Sequence, residues 1–151
     1  MQKNVVIGIM MACILLGSIG LAVGTKLTVQ DVTWAQAIVP YMKTLGNDAS
    51  VVGAAGSTGN LDVVKRACDL AVEDVISAEA ANNAYTVSPA IQPSKDDFTN
   101  VLTYAWSGFS DVSKGCSAQD STLITQGTNE LQMCNYYMTM FSRDLDVAMA
   151  A

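Results

Sequence analysis

The residues able to do chemistry in this chain are three cysteines past the N-terminal region, a set of helix-face carboxylates and a C-terminal group of aromatics and methionines; histidine is absent. That absence removes His-based acid–base catalysis, Ser-His-Asp and Cys-His nucleophiles, His-ligated haem and most zinc sites. Carboxylate, lysine or thiolate chemistry is left, and each needs a constellation of its own. None is found, so the sequence predicts a non-enzymatic protein with no catalytic, cofactor-binding or metal residues.

Cys68, Cys116 and Cys134 form no CxxC pair, which argues against redox and zinc-ribbon motifs. Each falls on the apolar stripe of a helical segment and reads first as a buried thiol. An oxidising exterior would make a disulfide available. Cys116 lies near the end of the third segment, Cys68 about two turns into the second, and Cys134 deeper along the fourth. Cys68–Cys116 is therefore the candidate disulfide, with one thiol left over.

Asp69 and Glu73 stand one turn apart, with Asp74 and Glu79 beyond. A di-metal carboxylate bundle needs inward Glu residues and Glu-x-x-His pairs, and this sequence has neither. The acids read as a solvated face, and no Asp-x-Asp-x-Asp-Gly calcium loop is present. The run Gly53-Ala54-Ala55-Gly56-Ser57-Thr58-Gly59 lacks the Gly-Lys-Ser/Thr ending and preceding strand of a phosphate loop, so it reads as a connection.

Among the aromatics and methionines, Phe109, Met138 and Phe141 sit on the apolar stripes and belong to the core. Tyr104, Trp106, Tyr137 and Met140 fall off or beside the stripes, with Tyr136 and Met133 nearby. Apolar surface left exposed tends to mark a contact face or ligand groove. These four are the candidate contacts for a protein partner or a small-molecule ligand, with peripheral core as the competing reading. The methionines lack the repeated motif of a copper site.

These residues must be positioned by what surrounds them. Residues 1–24 read as a membrane-anchor helix or a signal peptide. The apolar run Val5 to Val23 is about 19 residues, near the minimum for crossing a bilayer. A cleavable signal core spans only about 7–15, so length favours an uncleaved anchor. Ala22-Val23-Gly24 nevertheless offers small residues where a signal peptidase reads, and cleavage after Gly24 is the alternative. Cys13 is followed by more apolar residues, unlike a lipoprotein cysteine, and reads as a thiol within the helix. Lys3 precedes the run and Lys26 and Asp31 follow it, a slight bias toward N-terminus in and domain out.

Residues 25–151 carry 7 basic and 14 acidic side chains, a net charge of −7. Such a surface repels phosphates, so nucleic acid is not an expected partner. Four stretches in this region repeat apolar residues at intervals of three and four, over roughly 29–55, 60–84, 94–116 and 121–149. Pro40 predicts a kink or late start in the first. The second fades at Asn82-Asn83. Ser94 is the expected N-cap of the third, with Asp97 completing a short capping box, and Gly115 and Ser117 are expected to mark its fraying end.

The expected fold is all-α: the membrane or signal helix, then an antiparallel up-down-up-down four-helix bundle. In layout alone this resembles the sensor half of chemoreceptor-type proteins. No motif carries the resemblance, and no second membrane helix or signalling domain accompanies it, so a sensor of this kind would report through a partner. The expected function is a membrane-anchored extracytoplasmic binding or interaction module, single-pass, with protein contact or self-association. A structural subunit of a surface assembly packed through the apolar N-terminal helix, or a cleaved secreted or periplasmic ligand carrier, are the alternatives.

Overall fold

Thr28 sets the start of the first helix. Its hydroxyl accepts from Asp31 N–H while the Asp31 carboxylate accepts from Thr28 N–H, a reciprocal capping box that satisfies two otherwise orphaned donors. The helix it opens, α1, runs Val29–Ser57; α2 spans Leu61–Asn83, α3 Gln92–Ala118 and α4 Ser121–Ala150. These come from a computed structural model, which describes residues 27–150. The expected membrane or signal helix at 1–24, Cys13 and the cleavage position after Gly24 lie outside the described residues. Among those described, the protein is all-helical with no strand, and no helix is long and apolar enough to cross a membrane.

α1 runs through Pro40, and the Thr28 cap rules out the late start expected from that proline. Pro40 and Gln36, whose carbonyl loses its helical partner to the ring, both face solvent, where water can take the place of the missing hydrogen bond. The glycine-rich connection is also shorter than expected. Helix persists through Gly53 and Gly56 to Ser57, because Val52 and Ala55 keep packing into the core. Only Thr58, Gly59 and Asn60 turn the chain. Gly59 takes a positive φ of 68°, a conformation that glycine adopts at little cost, and Asn60 caps α2 by accepting from Asp62 and Val63 N–H.

α3 corrects the expected capping at Ser94. The helix begins two residues earlier, with Pro93 in its first turn, where a missing N–H is no loss. Ile91 precedes it, fully buried, and no side chain caps the end. Ser94 is buried inside the first turn and its hydroxyl has no partner, so the Ser94–Asp97 capping box does not form. Nor does the helix fray at Gly115 and Ser117. It continues to Ala118 and ends with Gln119 left-handed at φ 53°. Asp120 then accepts from Thr122 and Leu123 N–H and opens α4.

Successive helices pack against each other in the order α1–α2, α2–α3, α3–α4. The α3–α4 pair is the tightest. Gly108, Gly115 and Gly127 lie in it so closely that a Cβ on Gly127 would stand 2.6 Å from the Gly108 carbonyl, and one on Gly115 2.7 Å from Ile124 Cγ1. By contrast, no Cα of α1 comes within 8 Å of one in α4. Large side chains fill that seam: Trp34 meets Phe141 edge-on at 6.1 Å, and Phe141 meets Phe98 at 5.5 Å. Fully burying rings of this kind contributes roughly 1.5–3 kcal/mol each.

Candidate contact surface

The structure divides the four expected contact residues between two faces. Tyr104 on α3 and Tyr137 on α4 stack across the outer α3–α4 groove, with centroids 5.5 Å apart and planes 12° from parallel. Tyr136 stands edge-on to Tyr137 at 5.2 Å. Met140 is half-buried one turn further along α4. Tyr136 and Met133, one turn apart, are 52% and 40% exposed, so an apolar shelf opens to solvent beside the stacked pair. Antiparallel helices bring Tyr104 and Tyr137 to one level because both lie just outside their stripes, toward each other. Such stacking adds about 0.5–1.5 kcal/mol beyond burial and holds the rings in place.

Trp106 does not join them. It projects over the α2–α3 junction, 47% exposed, and lines an open groove of about 190 Å³ with Glu79, Asn82, Asn83, Thr99, Leu102 and Thr103. The polar floor of that groove is already satisfied. Trp34 Nε1 donates to Asn82 Oδ1 at 2.9 Å, and Asn82 Nδ2 donates to Thr99 Oγ1 at 3.1 Å. α2 ends at Asn83, where the second segment was expected to fade, and Asn82 in that last turn ties α1, α2 and α3 together. A buried amide paired in this way fixes helix register, whereas an unpaired one would cost about 1–3 kcal/mol.

Two aspartates of α1 have contrasting surroundings. Asp31 is fully buried; burial would raise its carboxyl, but hydrogen bonds from Ser88 and Thr28 outweigh this and hold it below the usual carboxylate range. Asp48 has no such donors. One of its oxygens is buried without a partner, and burial, with the Asp74 charge added, pushes it up to about 6. The sequence marks Asp31 only as a charge flanking the apolar run and gives Asp48 no role, although Thr28-x-x-Asp31 has capping-box spacing. Of the helix-two acids expected on a solvated face, Asp69 is exposed and bonded to Lys65 and Ser113, Glu73 and Glu79 are exposed, and Asp74 is half-buried near Asp48.

All three cysteines are free thiols and buried, as their stripe positions predict. Burial pushes Cys68 up to about 12, with smaller contributions from Cys116 and Asp69, and burial alone pushes Cys134 up to about 12. Cys116 is also raised by burial, while Lys65 draws it back in part. Cys68 and Cys134, pushed this far, are poor nucleophiles at neutral pH. Among the described residues no three His, Cys, Asp or Glu side chains converge to hold a metal ion. The four candidate contact residues thus fall into a tyrosine shelf on α3–α4, which includes Met140, and a separate groove beside Trp106. In comparisons with family models, curated proteins and solved structures, nothing matches this chain.

Proposed function

We propose that this chain is a non-enzymatic, membrane-anchored extracytoplasmic helical-bundle module that binds a protein partner through the tyrosine shelf of α3 and α4. The observation that supports this reading is the grouping of Tyr104, Tyr136 and Tyr137, prestacked beside exposed Met133. Tyrosine and methionine are enriched at protein contacts because they present large apolar area, and tyrosine loses little side-chain entropy on binding. The Val5–Val23 run would anchor the chain single-pass with its N-terminus inside, leaving the bundle to report through that partner.

A photo-crosslinking residue at Tyr136, expressed in the native cell, tests the shelf. A discrete adduct is expected from that position. None is expected from Leu70, a more exposed apolar position on α2; equal labelling from both would defeat the reading. Intact mass of the isolated protein tests the anchor, since loss of residues 1–24 would identify a cleaved, secreted form. The second reading, a structural subunit of a surface assembly, rests on the same apolar run. It predicts that the detergent-extracted protein sizes as a multimer, and that removing residues 1–24 leaves a monomer.

A further inference from the structure

We propose that Cys68 and Cys116, free thiols in this structure, are oxidised to an intramolecular disulfide tying α2 to α3. Hydrogen bonds fix the register of these antiparallel helices. Ser113 donates to Asp69, and Asn82 donates to Thr99, so the two helices advance together along the interface. Cys68 therefore faces positions 113–114, and Cys116 lies two to three residues beyond, an axial offset of roughly 4 Å at 1.5 Å per residue. Helix axes about 8–10 Å apart, each with Cα atoms about 2.3 Å off-axis, leave facing Cα atoms roughly 3.5–5.5 Å apart sideways. Combined with the axial offset this gives a Cα separation of about 5–7 Å, against the 4.4–6.8 Å that disulfides usually span.

The rotation of each helix also suits the bond. On α2, Lys65, Cys68 and Asp69 share one face, and the Lys65–Asp69 ion pair is joined to Ser113 of α3. On α3, Ser113 and Cys116 are one turn apart, so the polar bridge and both thiols occupy the same stretch of interface. Cys68 is wholly buried and Cys116 is 5% exposed, which places the pair inside the packed seam. Cys134 is excluded by level. Contacts of Gly115 with Ile124 and of Gly108 with Leu131 place Cys134 opposite α3 position 105. That is roughly 16 Å along the axis from Cys116 and 13 Å from the level of Cys68.

The bond is made by exchange with an external disulfide. The Cys116 thiolate, nearer the helix end and beside Lys65, attacks one sulfur of the external disulfide, forming a mixed disulfide and releasing one thiolate. Cys68, after losing its proton, attacks the Cys116 sulfur and releases the second. Two cysteine S–H groups become one S–S bond, and the external disulfide is reduced to two thiols that take up the two protons.

The test uses the full reduced chain in detergent, incubated with oxidised glutathione, alkylated after denaturation and mapped without reduction. Cleavage before Asp120 in addition to trypsin separates Cys116 from Cys134. Linked Cys68 and Cys116 peptides with alkylated Cys134 are expected, in wild type and in Cys134→Ala alike. The oxidised form should also melt about 10 °C higher than the reduced form. Three alkylated cysteines, or a link through Cys134, would overturn the proposal. The bond's presence in cells rests on the extracytoplasmic reading above. Exchange in vitro without the bond in freshly isolated, alkylated protein would support the pair and count against that location alone.

Discussion

Asp31 and Asp48 lie on one helix, seventeen positions apart, and their neighbours send their acidities in opposite directions. Asp31 is ionised by its donors, so it stabilises the fold fully above the ordinary carboxylate pKa near 3.8, and that support is lost as pH falls through its lower folded value. Asp48 is raised to about 6, so protonation favours the fold. Its contribution is complete below the unfolded value near 3.8 and is lost as pH rises through 6. Stability followed by urea denaturation should therefore rise from pH 7 toward pH 4 and then fall in stronger acid. Asp48→Asn should flatten the limb between pH 4 and 6 and stabilise the protein at pH 7 by roughly 1–2 kcal/mol, after allowance for partial solvent access. Asp31→Asn should act the other way, costing about 1–3 kcal/mol at neutral pH, because both carboxylate oxygens accept backbone N–H groups and an amide would turn a donor on one of them. A limb unchanged by Asp48→Asn would mean that its unpartnered oxygen is hydrated.

At the scale of elements, three glycines make the α3–α4 pair close. Gly127→Ala would drive a Cβ to 2.6 Å from the Gly108 carbonyl and 2.8 Å from Val112 N, atoms of backbone that cannot step aside. The overpacking should outweigh the helix-propensity gain of about 1 kcal/mol and leave a net loss of roughly 1–3 kcal/mol. Gly46→Ala is the matched control, since nothing lies within 4 Å of the added carbon. It should stabilise by about 0.5–1 kcal/mol. Opposite shifts in the urea midpoint with an unchanged slope are expected; shifts of the same sign would remove the glycines' packing role. These glycines also mark where sequence reading stops. The stripes from Val64 to Ala78 and from Ile124 to Leu145 were legible because burial repeats with the helical period. A glycine that ends a helix and one that lets two helices touch look alike in one sequence, which is why Gly115 reads as fraying. Ser94 misleads for a related reason, since a serine favours a cap, but Pro93 was already suited to the first turn and Ile91 to the core. The candidate contacts were legible as side chains off the stripe. Their division into Tyr104–Tyr137 and Trp106 was not, because it depends on which neighbour each helix edge faces.

For the whole molecule, the packing is graded from one end of the helix order to the other. α3 and α4 meet backbone to backbone through glycine. α1 comes that near only to α2, and reaches α4 across rings rather than main chain. Close backbone contact leaves little room for independent motion, whereas a seam filled by Trp34 and Phe141 can open by side-chain displacement. α1 also carries Pro40, which removes one of its own hydrogen bonds, and it is the helix that follows the apolar N-terminal run in sequence. The part of the bundle next to the proposed anchor is thus the least firmly held, and the part bearing the tyrosine shelf is the firmest. Native-state hydrogen exchange should therefore find the amides of α1 opening at lower free energy than those of α3 and α4, with the Trp34–Asn82 bond marking the best-protected turn of α1. Trp34→Phe keeps an aromatic ring but leaves Asn82 Oδ1 without its donor. It should speed exchange through α1 while leaving α4 between Gly127 and Met138 nearly unchanged. Equal loss of protection in both helices would show that the bundle opens as one unit, and displacement of α1 could then not occur without disturbing the shelf.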